Sequence, residues 1–364
     1  MSNDIFIVGG ARPNFMKIAP LIKELRNQKI DFKIIHTGQH YDYNMSKVFF
    51  DALDILEPDY FLNVGSGSHA TQTAKIMIEF EKVILSNRPL LVIVVGDVNS
   101  TIACALVAKK LFIKIAHIEA GLRSNDLTMP EEINRILTDQ LSDYLFTTEK
   151  SAFDNLKKEG IDLEKVFFVG NIMIDNLVNN LEKAKKEDYY KKLKLEDNSY
   201  GLVTIHRPSN VDTRTDLELV LEMLNYIQTK MKIVFPIHPR TLKSLEKFNL
   251  KDKIIKPNII LIEPLGYLEF LNLMIHAKFI LTDSGGIQEE ASFLNIPILT
   301  LRKNTERPIT IEKGTNTLIN NDFNILKMCL EKILSNSYKN GQKIEKWDGK
   351  TSKRIVNIIN EKIF

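Results

Sequence analysis

The stretch LLVIVVGDVNST, residues 90–101, joins a continuous apolar run to an abrupt polar turn. The run lacks polar alternation and is short, which predicts a strand that is buried on both faces. Gly96 and Asp97 end the run, and the helical pattern NSTIACALVAKK follows from residue 99. A strand, a glycine turn and a helix in this order form the repeating unit of a parallel α/β sheet.

The same unit recurs along the whole chain. Each apolar run is rich in Ile and Val, ends in glycine or polar residues, and is separated from the next by a helix-length segment. Besides 90–96, such runs lie at 4–8, 33–37, 113–119, 144–148, 165–170, 200–205, 232–238, 258–263, 278–283 and 296–301. We therefore predict an α/β fold with two Rossmann-like, doubly wound parallel-sheet domains that face a central cleft.

A highly charged segment, LEKAKKEDYYKKLKLEDNSY at 181–200, separates the two sets of runs. Its small apolar face predicts an exposed helix and connector. We assign residues 1–170 to an N-terminal Rossmann-like domain and residues 171–349 to a C-terminal one. The amphipathic segment 350–364 is a candidate to pack back on the N-terminal domain.

Composition limits the classes of function. The chain of 364 residues is 44% hydrophobic and 26% charged, with a formal charge of +3, which is typical of a soluble globular protein. Its basic residues are scattered, which argues against a nucleic-acid-binding surface. No run reaches the length of a membrane helix, and the N-terminal residues lack signal-peptide features. With only two cysteines, Cys104 and Cys329, we expect a cytoplasmic protein without disulfides.

Polar clusters follow the predicted strands and do not occur at random positions. In the first half these clusters are GGARPNFMK, GDVNS and EAGLR, and in the second half HRPSN, HPR and DSGGIQEE. In open parallel sheets, ligands bind at the carboxyl ends of the strands. The clusters therefore predict a ligand site at the same edge of each sheet.

Two of these clusters suit an anionic ligand. Ser284, Gly285 and Gly286 form a turn before a helix expected to begin near Ile287, where exposed amide groups can bind phosphate. The alternative is helix capping, in which Glu289 and Glu290 lie in the first turn and complement the helix dipole. Arg12 and Lys17 flank a Gly-Gly turn and suit a diphosphate, and this position disfavours the alternative that they are ordinary surface charges. The GxGxxG fingerprint and the Walker loop are both missing, so no nicotinamide cofactor is expected.

Three acids follow strand ends or a helix start in the first half, namely Asp97, Glu119 and Glu131. Each has a structural alternative, as a turn residue or as an acid in a first helical turn. His36 and His40 lie four apart, but Gly38 between them disfavours a zinc site. Carboxylates at a sheet edge with no cluster of metal ligands beside them indicate proton transfer.

The motifs also resemble a known family. GARPNFMKIAPL, GDVNST, HIEAGLRS, MPEEINR, HRPSNVD, HPRT and LTDSGGIQEEA are similar to motifs of the non-hydrolysing UDP-N-acetylglucosamine 2-epimerases, in order from residue 10 to about residue 315. Members of that family are similar in fold to type-B glycosyltransferases. Many members carry Glu where this chain has Ser209, and HPRT also resembles members that act on modified sugars.

The resemblance implies an elimination and re-addition reaction. UDP leaves the anomeric carbon while the C2 proton is removed, and UDP then adds back to the 2-acetamidoglucal while a proton returns to the other face. The resemblance implies that the catalytic residues are Asp97, Glu119, Glu131 and His206. The N-terminal domain, 1–170, would then carry acid/base residues, and the C-terminal domain, 171–349, would bind UDP. It implies that the substrate-binding residues are Arg12, Lys17, Arg207, Ser284, Gly285, Gly286 and Glu290, with Glu290 at the ribose hydroxyls.

The resemblance also implies partners and leaves alternatives open. It implies a UDP-sugar substrate, no metal or redox cofactor, no nucleic-acid or membrane partner, and a homodimer. A UDP-2,3-diacetamido sugar acid is an alternative substrate, and a hydrolysing epimerase or a glycosyltransferase is an alternative enzyme. In some relatives a second UDP-sugar activates the enzyme, and Gln39 and His40 match part of that region.

Overall fold

A computed structural model describes residues 4–39 and 57–364, apart from the side chain of Arg12. The chain forms two compact units. Unit 1 comprises Met1–Asn176 and Glu345–Phe364, and unit 2 comprises Leu177–Ile344. The roles assigned to the two domains from the sequence stay predictions.

Unit 1 alternates strands with helices. Its strands are β1 (Ile5–Gly9), β2 (Phe32–His36), β3 (Tyr60–Phe61), β4 (Leu91–Val95), β5 (Lys114–Ala120), β6 (Tyr144–Thr147) and β7 (Val166–Phe168). Its described helices are α1 (Arg12–Asn27), α2 (His69–Ser86), α3 (Asn99–Lys110), α4 (Pro130–Leu141), α5 (Lys150–Lys158), and the first residues of α6 (Ile172–Lys185), which continues into unit 2.

The strands of unit 1 form one parallel sheet in the order β3-β2-β1-β4-β5-β6-β7. The chain therefore runs outward in one direction from β1 and in the other from β4, and the topological switch point lies between these two strands. In such sheets this point is where ligands bind. β1 and β4 are buried along their whole length because helices cover both faces.

Unit 2 repeats this architecture. Its strands are β8 (Tyr200–Thr204), β9 (Lys232–Pro236), β10 (Ile259–Ile262), β11 (Phe279–Thr282), β12 (Ile298–Thr300) and β13 (Asn316–Leu318). Its helices after α6 are α7 (Tyr189–Lys192), α8 (Pro208–Val211), α9 (Arg214–Gln228), α10 (Pro239–Lys247), α11 (Lys251–Ile254), α12 (Tyr267–Ile275), α13 (Gly285–Phe293), α14 (Ile309–Glu312) and α15 (Phe323–Leu334). The parallel sheet has the order β10-β9-β8-β11-β12-β13, with its switch point between β8 and β11.

The last helix, α16 (Thr351–Ile363), belongs to unit 1 and packs against α1. Its apolar face buries Ile355, Val356 and Ile359. Asp175 holds the start of the helix, because its carboxylate accepts hydrogen bonds from the backbone N–H groups of Thr351 and Ser352 at 2.9 and 2.7 Å. Such bonds satisfy amide groups that have no partner within the helix.

The prediction of two Rossmann-like parallel-sheet domains is confirmed. The strands β3 and β13 were not predicted, because two and three residues with few apolar neighbours give no periodic signal. Within the described ranges, no helix combines the length and apolar character needed to cross a bilayer.

Candidate active site

In unit 1, the turn after β1 is fixed to the end of β4 by Asn14. The Asn14 side-chain oxygen accepts hydrogen bonds from the backbone N–H groups of Gly10 and Ala11 at 3.3 and 3.0 Å. Its amide nitrogen donates to the carbonyl of Val95 at 2.9 Å. The two strand ends at the switch point are therefore joined by one side chain. Arg12 is the first residue of α1, and its side chain lies outside the described residues.

Lys17 projects from α1 toward the same strand ends and is buried. Its ammonium group forms an ion pair with the carboxylate of Glu119, which is also buried. Gly96 allows this close approach, because a Cβ there would lie 3.3 Å from Lys17 Nζ and 3.7 Å from Glu119 Oε2. Ion pairs that are buried in this way interact more strongly than exposed pairs, because the surroundings screen their charges less.

Glu119 has an unusual backbone conformation. Its φ is 72°, in the left-handed region, although it lies inside β5. The pairing of β5 with β6 shifts its register between Ile118 and Ala120, so the strand is irregular at this residue. A left-handed residue other than glycine costs of order 1–3 kcal/mol and is found most often at functional sites.

Asp97 and Glu131 line one cavity of about 230 Å³ in unit 1. Asp97 follows β4, and its carboxylate accepts hydrogen bonds from Nε and Nη2 of Arg135 at 3.0 and 2.6 Å. Glu131 lies in the first turn of α4 and is exposed. Polar residues of the cavity wall include His69, Asn99 and Asn134. The structure thus brings Asp97 and Glu131 together, and places Glu119 beside Gly96, the residue before Asp97.

In unit 2, the buried carboxylate of Asp283 organises the segment after β8. Its Oδ2 accepts hydrogen bonds from the backbone N–H groups of His206 and Arg207 at 2.9 and 2.8 Å. The His206 ring is partly exposed, with Nδ1 at 3.1 Å from Asp283 Oδ1. Burial favours the protonated form of Asp283, but the interactions with His206, Arg207 and Asn210 outweigh it and hold the pKa of Asp283 below its usual value.

The turn after β11 leads into α13 at Gly285, so the expectation of a helix start near Ile287 is wrong by about half a turn. Ser284 is the N-cap residue, and Gly285 and Gly286 are the first helical residues. Their amide groups have no partner within the helix, which is the arrangement that binds anions. A Cβ at Gly285 would lie 2.8 Å from Glu306 Oε1, so glycine is required for this packing.

The sequence predicted Glu289 and Glu290 in the first turn of α13, and this prediction is wrong. Both acids follow the first turn and are buried. Glu290 Oε1 accepts a hydrogen bond from the hydroxyl of Tyr267 at 2.7 Å. Burial raises the pKa of Glu290 to about 7, against the effect of the Tyr267 hydrogen bond and with a smaller contribution from Glu289. Helix capping therefore does not account for either acid.

Known proteins resemble the chain over nearly its whole length. A family model for UDP-N-acetylglucosamine 2-epimerase matches residues 23–360. The chain belongs to the UDP-N-acetylglucosamine 2-epimerase family.

Individual relatives of this epimerase-family chain agree with that result. UDP-N-acetylglucosamine 2-epimerase of Methanocaldococcus jannaschii is 47% identical, covering 97% of this chain and 98% of the relative. Its crystal structure in complex with UDP-GlcNAc and UDP superposes with a TM-score of 0.90 at 46% identity, covering 98% of this chain and 99% of that one. UDP-2,3-diacetamido-2,3-dideoxy-D-glucuronate 2-epimerase of Pseudomonas aeruginosa is 43% identical, covering 86% and 88%.

These findings confirm the family resemblance and the fold. A lipopolysaccharide outer core galactosyltransferase, 13% identical with a TM-score of 0.55 and covering 99% of both chains, shares the fold alone. The roles of the individual site residues stay predictions, as does the expectation that this epimerase-family chain needs no metal or redox cofactor.

Several residues of the site were missed by sequence reasoning. Arg135 lies in the MPEEINR motif, and its spacing of three residues from Glu132 was the available signal, since the two form an ion pair at 2.5 Å. Asp283 directly precedes the predicted turn at Ser284. It binds the backbone of His206 and Arg207, which lie 77 and 76 positions earlier in the chain, so the local sequence gives no signal of these contacts. A buried ion-pair network was also missed, consisting of Glu289, Arg302, Glu306 and Arg307.

The region matched to a second UDP-sugar site is described only in part. Gln39 Oε1 accepts hydrogen bonds from the backbone N–H and the hydroxyl of Ser100 at 3.1 and 2.7 Å, and Gln39 lines the cavity that contains Asp97 and Glu131. His40 lies outside the described residues.

Proposed function

We propose that this chain interconverts UDP-N-acetylglucosamine and UDP-N-acetylmannosamine by inverting the configuration at C2. The family and the M. jannaschii relative, whose structure contains UDP-GlcNAc and UDP, support the choice of substrate. The observation that carries the proposal is the arrangement of carboxylates in unit 1. Asp97 and Glu131 line one cavity, and the buried pair of Lys17 and Glu119 lies beside the same turn.

The proposed reaction is an elimination followed by an addition. As the bond from C1 to the diphosphate oxygen breaks, a carboxylate removes the C2 proton, and the electrons of that C–H bond form a C1=C2 double bond. UDP carries the negative charge of the broken bond. In the second half-reaction the diphosphate oxygen attacks C1, and an acid delivers a proton to the opposite face of C2. This chemistry needs acid and base groups that reach both faces of the ring.

The carboxylates of unit 1 have different environments, which suits different protonation roles. Asp97 accepts hydrogen bonds from Nε and Nη2 of Arg135. Glu119 is buried and forms an ion pair with Lys17. Glu131 is exposed and has no such cation among its described contacts. We propose that all three act on C2 of the sugar.

Unit 2 supplies the proposed contacts to the nucleotide. The amide groups at the start of α13, Ser284 to Gly286, would bind the diphosphate, together with His206 and Arg207. Donors that are already fixed at the position where charge develops stabilise a leaving group most effectively. Glu290 would accept hydrogen bonds from the ribose hydroxyls, in place of the one it now accepts from Tyr267. Arg12 and Lys17 of unit 1 are the other proposed substrate-binding residues.

The fate of the C2 proton tests the mechanism. Incubation of the protein with UDP-N-acetylglucosamine in heavy water should place deuterium at C2 of the recovered sugar nucleotides, as measured by NMR and mass spectrometry. Turnover without solvent label at C2 would falsify the elimination mechanism. The products separate the two types of epimerase, since the non-hydrolysing type yields UDP-N-acetylmannosamine and the hydrolysing type yields UDP and the free sugar.

Isosteric variants test the carboxylates. We expect Asp97→Asn, Glu119→Gln and Glu131→Gln each to lower kcat by at least about 100-fold, the usual scale for general acid and base groups. Glu81→Gln is the matched control, because Glu81 is an exposed acid of the same unit, on α2. Wild-type rates in all three site variants would contradict the proposed roles. Two partial reactions, release of the glucal and exchange of the C2 proton with solvent, would show which carboxylate acts as the base and which as the acid.

A modified sugar is the second candidate substrate. It is favoured by the 43% identity to the P. aeruginosa enzyme that acts on UDP-2,3-diacetamido-2,3-dideoxy-D-glucuronate. Comparison of kcat/KM for the two UDP-sugars decides between them, and a difference of more than about tenfold would correspond to 1.4 kcal/mol of discrimination at the transition state.

We also propose that the protein acts in the cytoplasm as a homodimer. Both cysteines, Cys104 and Cys329, are buried thiols without a disulfide, in agreement with a reducing compartment. Leu127, Ile133 and Leu137 are exposed apolar residues on or next to α4, and a second copy could cover them. Sedimentation velocity tests the dimer, and a monomer at micromolar concentration would contradict it.

A further inference from the structure

The carboxylate of Asp139 is buried inside unit 1 and binds three groups of one short chain segment. Its Oδ1 lies 2.6 Å from Nδ1 of His117. Its Oδ2 accepts hydrogen bonds from the backbone N–H of Gly121 at 3.0 Å and from Nη2 of Arg123 at 2.7 Å. Asp139 lies on α4, and both Asp139 and His117 are 0% exposed. The segment 117–123 therefore curves around a single carboxylate, with Glu119 between the first two contacts.

These contacts explain how Glu119 is held in a strained conformation. The left-handed backbone at Glu119 is unfavourable for glutamate, so the surrounding structure must impose it. Asp139 binds the side chain two residues before Glu119 and the backbone amide two residues after it. Gly121 is also left-handed, and a Cβ there would lie 2.4 Å from the carbonyl oxygen of Ala152. The path of the chain on both sides of Glu119 is thus fixed.

His117 also contacts the turn that carries Asp97. Its Nε2 lies 2.8 Å from the carbonyl oxygen of Gly96. The backbone N–H of Gly96 in turn donates to the carbonyl of Ile118 at 3.0 Å. Gly96 is therefore held through both its backbone groups by residues next to Glu119. One buried His–Asp pair connects the positions of Asp97 and Glu119.

Both ring nitrogens of His117 are in contact with an oxygen atom. Nδ1 faces Oδ1 of Asp139, and Nε2 faces the carbonyl oxygen of Gly96. Burial alone favours the protonated form of Asp139, but the interactions with His117 and Arg123 outweigh it and keep the pKa of Asp139 below its usual value. Arg123 also binds Glu159 at 2.7 and 2.8 Å, so its guanidinium group lies between two carboxylates.

We propose that Asp139 is a positioning residue that acts through His117 and Gly121 to place the carboxylates of Glu119 and Asp97 against C2 of the sugar. This inference rests on the proposed function, since the affected step is proton transfer at C2. Asp139 and His117 are buried and would not contact the substrate themselves. Their substitution should therefore affect kcat far more than nucleotide binding.

The decisive variant is Asp139→Asn. Asparagine keeps the size of the side chain, but its NH2 group only donates, so it cannot accept hydrogen bonds on both sides, from His117 and from Gly121 with Arg123, as the carboxylate does. Misplacement of a reacting group by about 1 Å can cost 10²-fold in rate, so kcat should fall by about 100-fold. The Kd of UDP should change by less than about threefold, because a loss of interactions made only in the transition state lowers kcat without weakening binding of the ground state. His117→Gln should show the same division between kcat and Kd, and it replaces Asp139→Asn if that variant does not fold.

Asp143→Asn is the matched control. Asp143 accepts a hydrogen bond from the backbone N–H of Ile115 at 3.0 Å and forms an ion pair with Lys109 at 2.7 Å. It thus also connects a carboxylate, an amide of β5 and a cation, but at the end of the strand away from Glu119. We expect its kcat to stay within about twofold of the wild type. Equal losses of kcat in Asp139→Asn and Asp143→Asn would overturn the proposal, because they would indicate a general effect on stability.

A spectroscopic signature tests the pair without any turnover. In the protein labelled with ¹⁵N at histidine, we expect Nδ1 of His117 to donate a hydrogen bond to Asp139 in the wild type. In Asp139→Asn this hydrogen bond should be lost. Identical His117 ring spectra in the two proteins would overturn the proposal. If the wild type does not exchange the C2 proton of any UDP-sugar with solvent, the proposed function is wrong. The ring spectrum of His117 still decides in that case whether the His–Asp pair exists.

Discussion

The buried carboxyl group of Glu290 gives a prediction with a defined sign. Burial raises the pKa of Glu290 from 4.5 to about 7, so between these values the folded protein holds a proton that the unfolded chain has lost. The stability that this group contributes is therefore complete below about pH 4.5 and is lost as the pH rises through about 7. At about 1.36 kcal/mol per pH unit, this pKa difference corresponds to roughly 3 kcal/mol.

The variant Glu290→Gln replaces the carboxyl group with a neutral group of the same shape. We expect the free energy of unfolding of the variant, relative to the wild type, to rise by roughly 3 kcal/mol between about pH 4.5 and about pH 8.5. Urea unfolding without ligand, followed by circular dichroism at several pH values, measures this difference. Glu312→Gln, which changes an exposed glutamate of the same unit, should follow the wild-type curve.

The variant Tyr267→Phe tests how burial and the Tyr267 hydrogen bond each affect the pKa of Glu290. The Tyr267 hydroxyl donates to Glu290 and lowers its pKa, so removal of the hydroxyl should raise the pKa of Glu290 further. The loss of stability with pH should then move to higher pH. Parallel stability curves for the wild type and Glu290→Gln across the whole range would refute this reasoning, since Glu290 would then not retain its proton.

Three further substitutions follow from the packing of the site. Lys17→Met leaves the Glu119 carboxylate buried without its cation and should cost about 3–5 kcal/mol in urea unfolding, whereas the double variant with Glu119→Gln should recover most of the loss. Gly285→Ala places a Cβ 2.8 Å from Glu306 and should weaken UDP binding in calorimetry by about tenfold, at an overpacking cost of about 1–3 kcal/mol. Gly121→Ala meets a carbonyl oxygen at 2.4 Å with φ at 79°, and should lower the melting temperature by several degrees, since each kcal/mol shifts it by about 2–4 °C.

The architecture was predictable because it depends on local pattern. Buried parallel strands give continuous apolar runs, and the glycines that end them mark the carboxyl edge of each sheet. The strand LVIVV followed by Gly96 and Asp97 is such a case, and β4 ends at Val95 as expected. The two shortest strands, β3 and β13, depend on pairing with a neighbouring strand and therefore gave no pattern of their own.

The candidate site was predictable in its positions but not in its contacts. Asp97 and Glu131 could be identified as acids at a strand end and a helix start, whereas Arg135, which holds Asp97 from 38 residues away, could not be assigned a partner. The left-handed backbone of Glu119 was also beyond sequence reasoning, because local preference puts glycine or asparagine at such a position. It follows from Asp139 and Gly121, which act together only in the folded unit.

The return of α16 to unit 1 has a consequence for the order of events during synthesis. Most of unit 1 leaves the ribosome first, yet its α1 surface stays uncovered until the final helix has been translated. Unit 2 is continuous in sequence and therefore does not include the C-terminal helix. We expect a released chain truncated after residue 344 to protect unit 2 from proteolysis and to leave the surface around α1 accessible to chaperones.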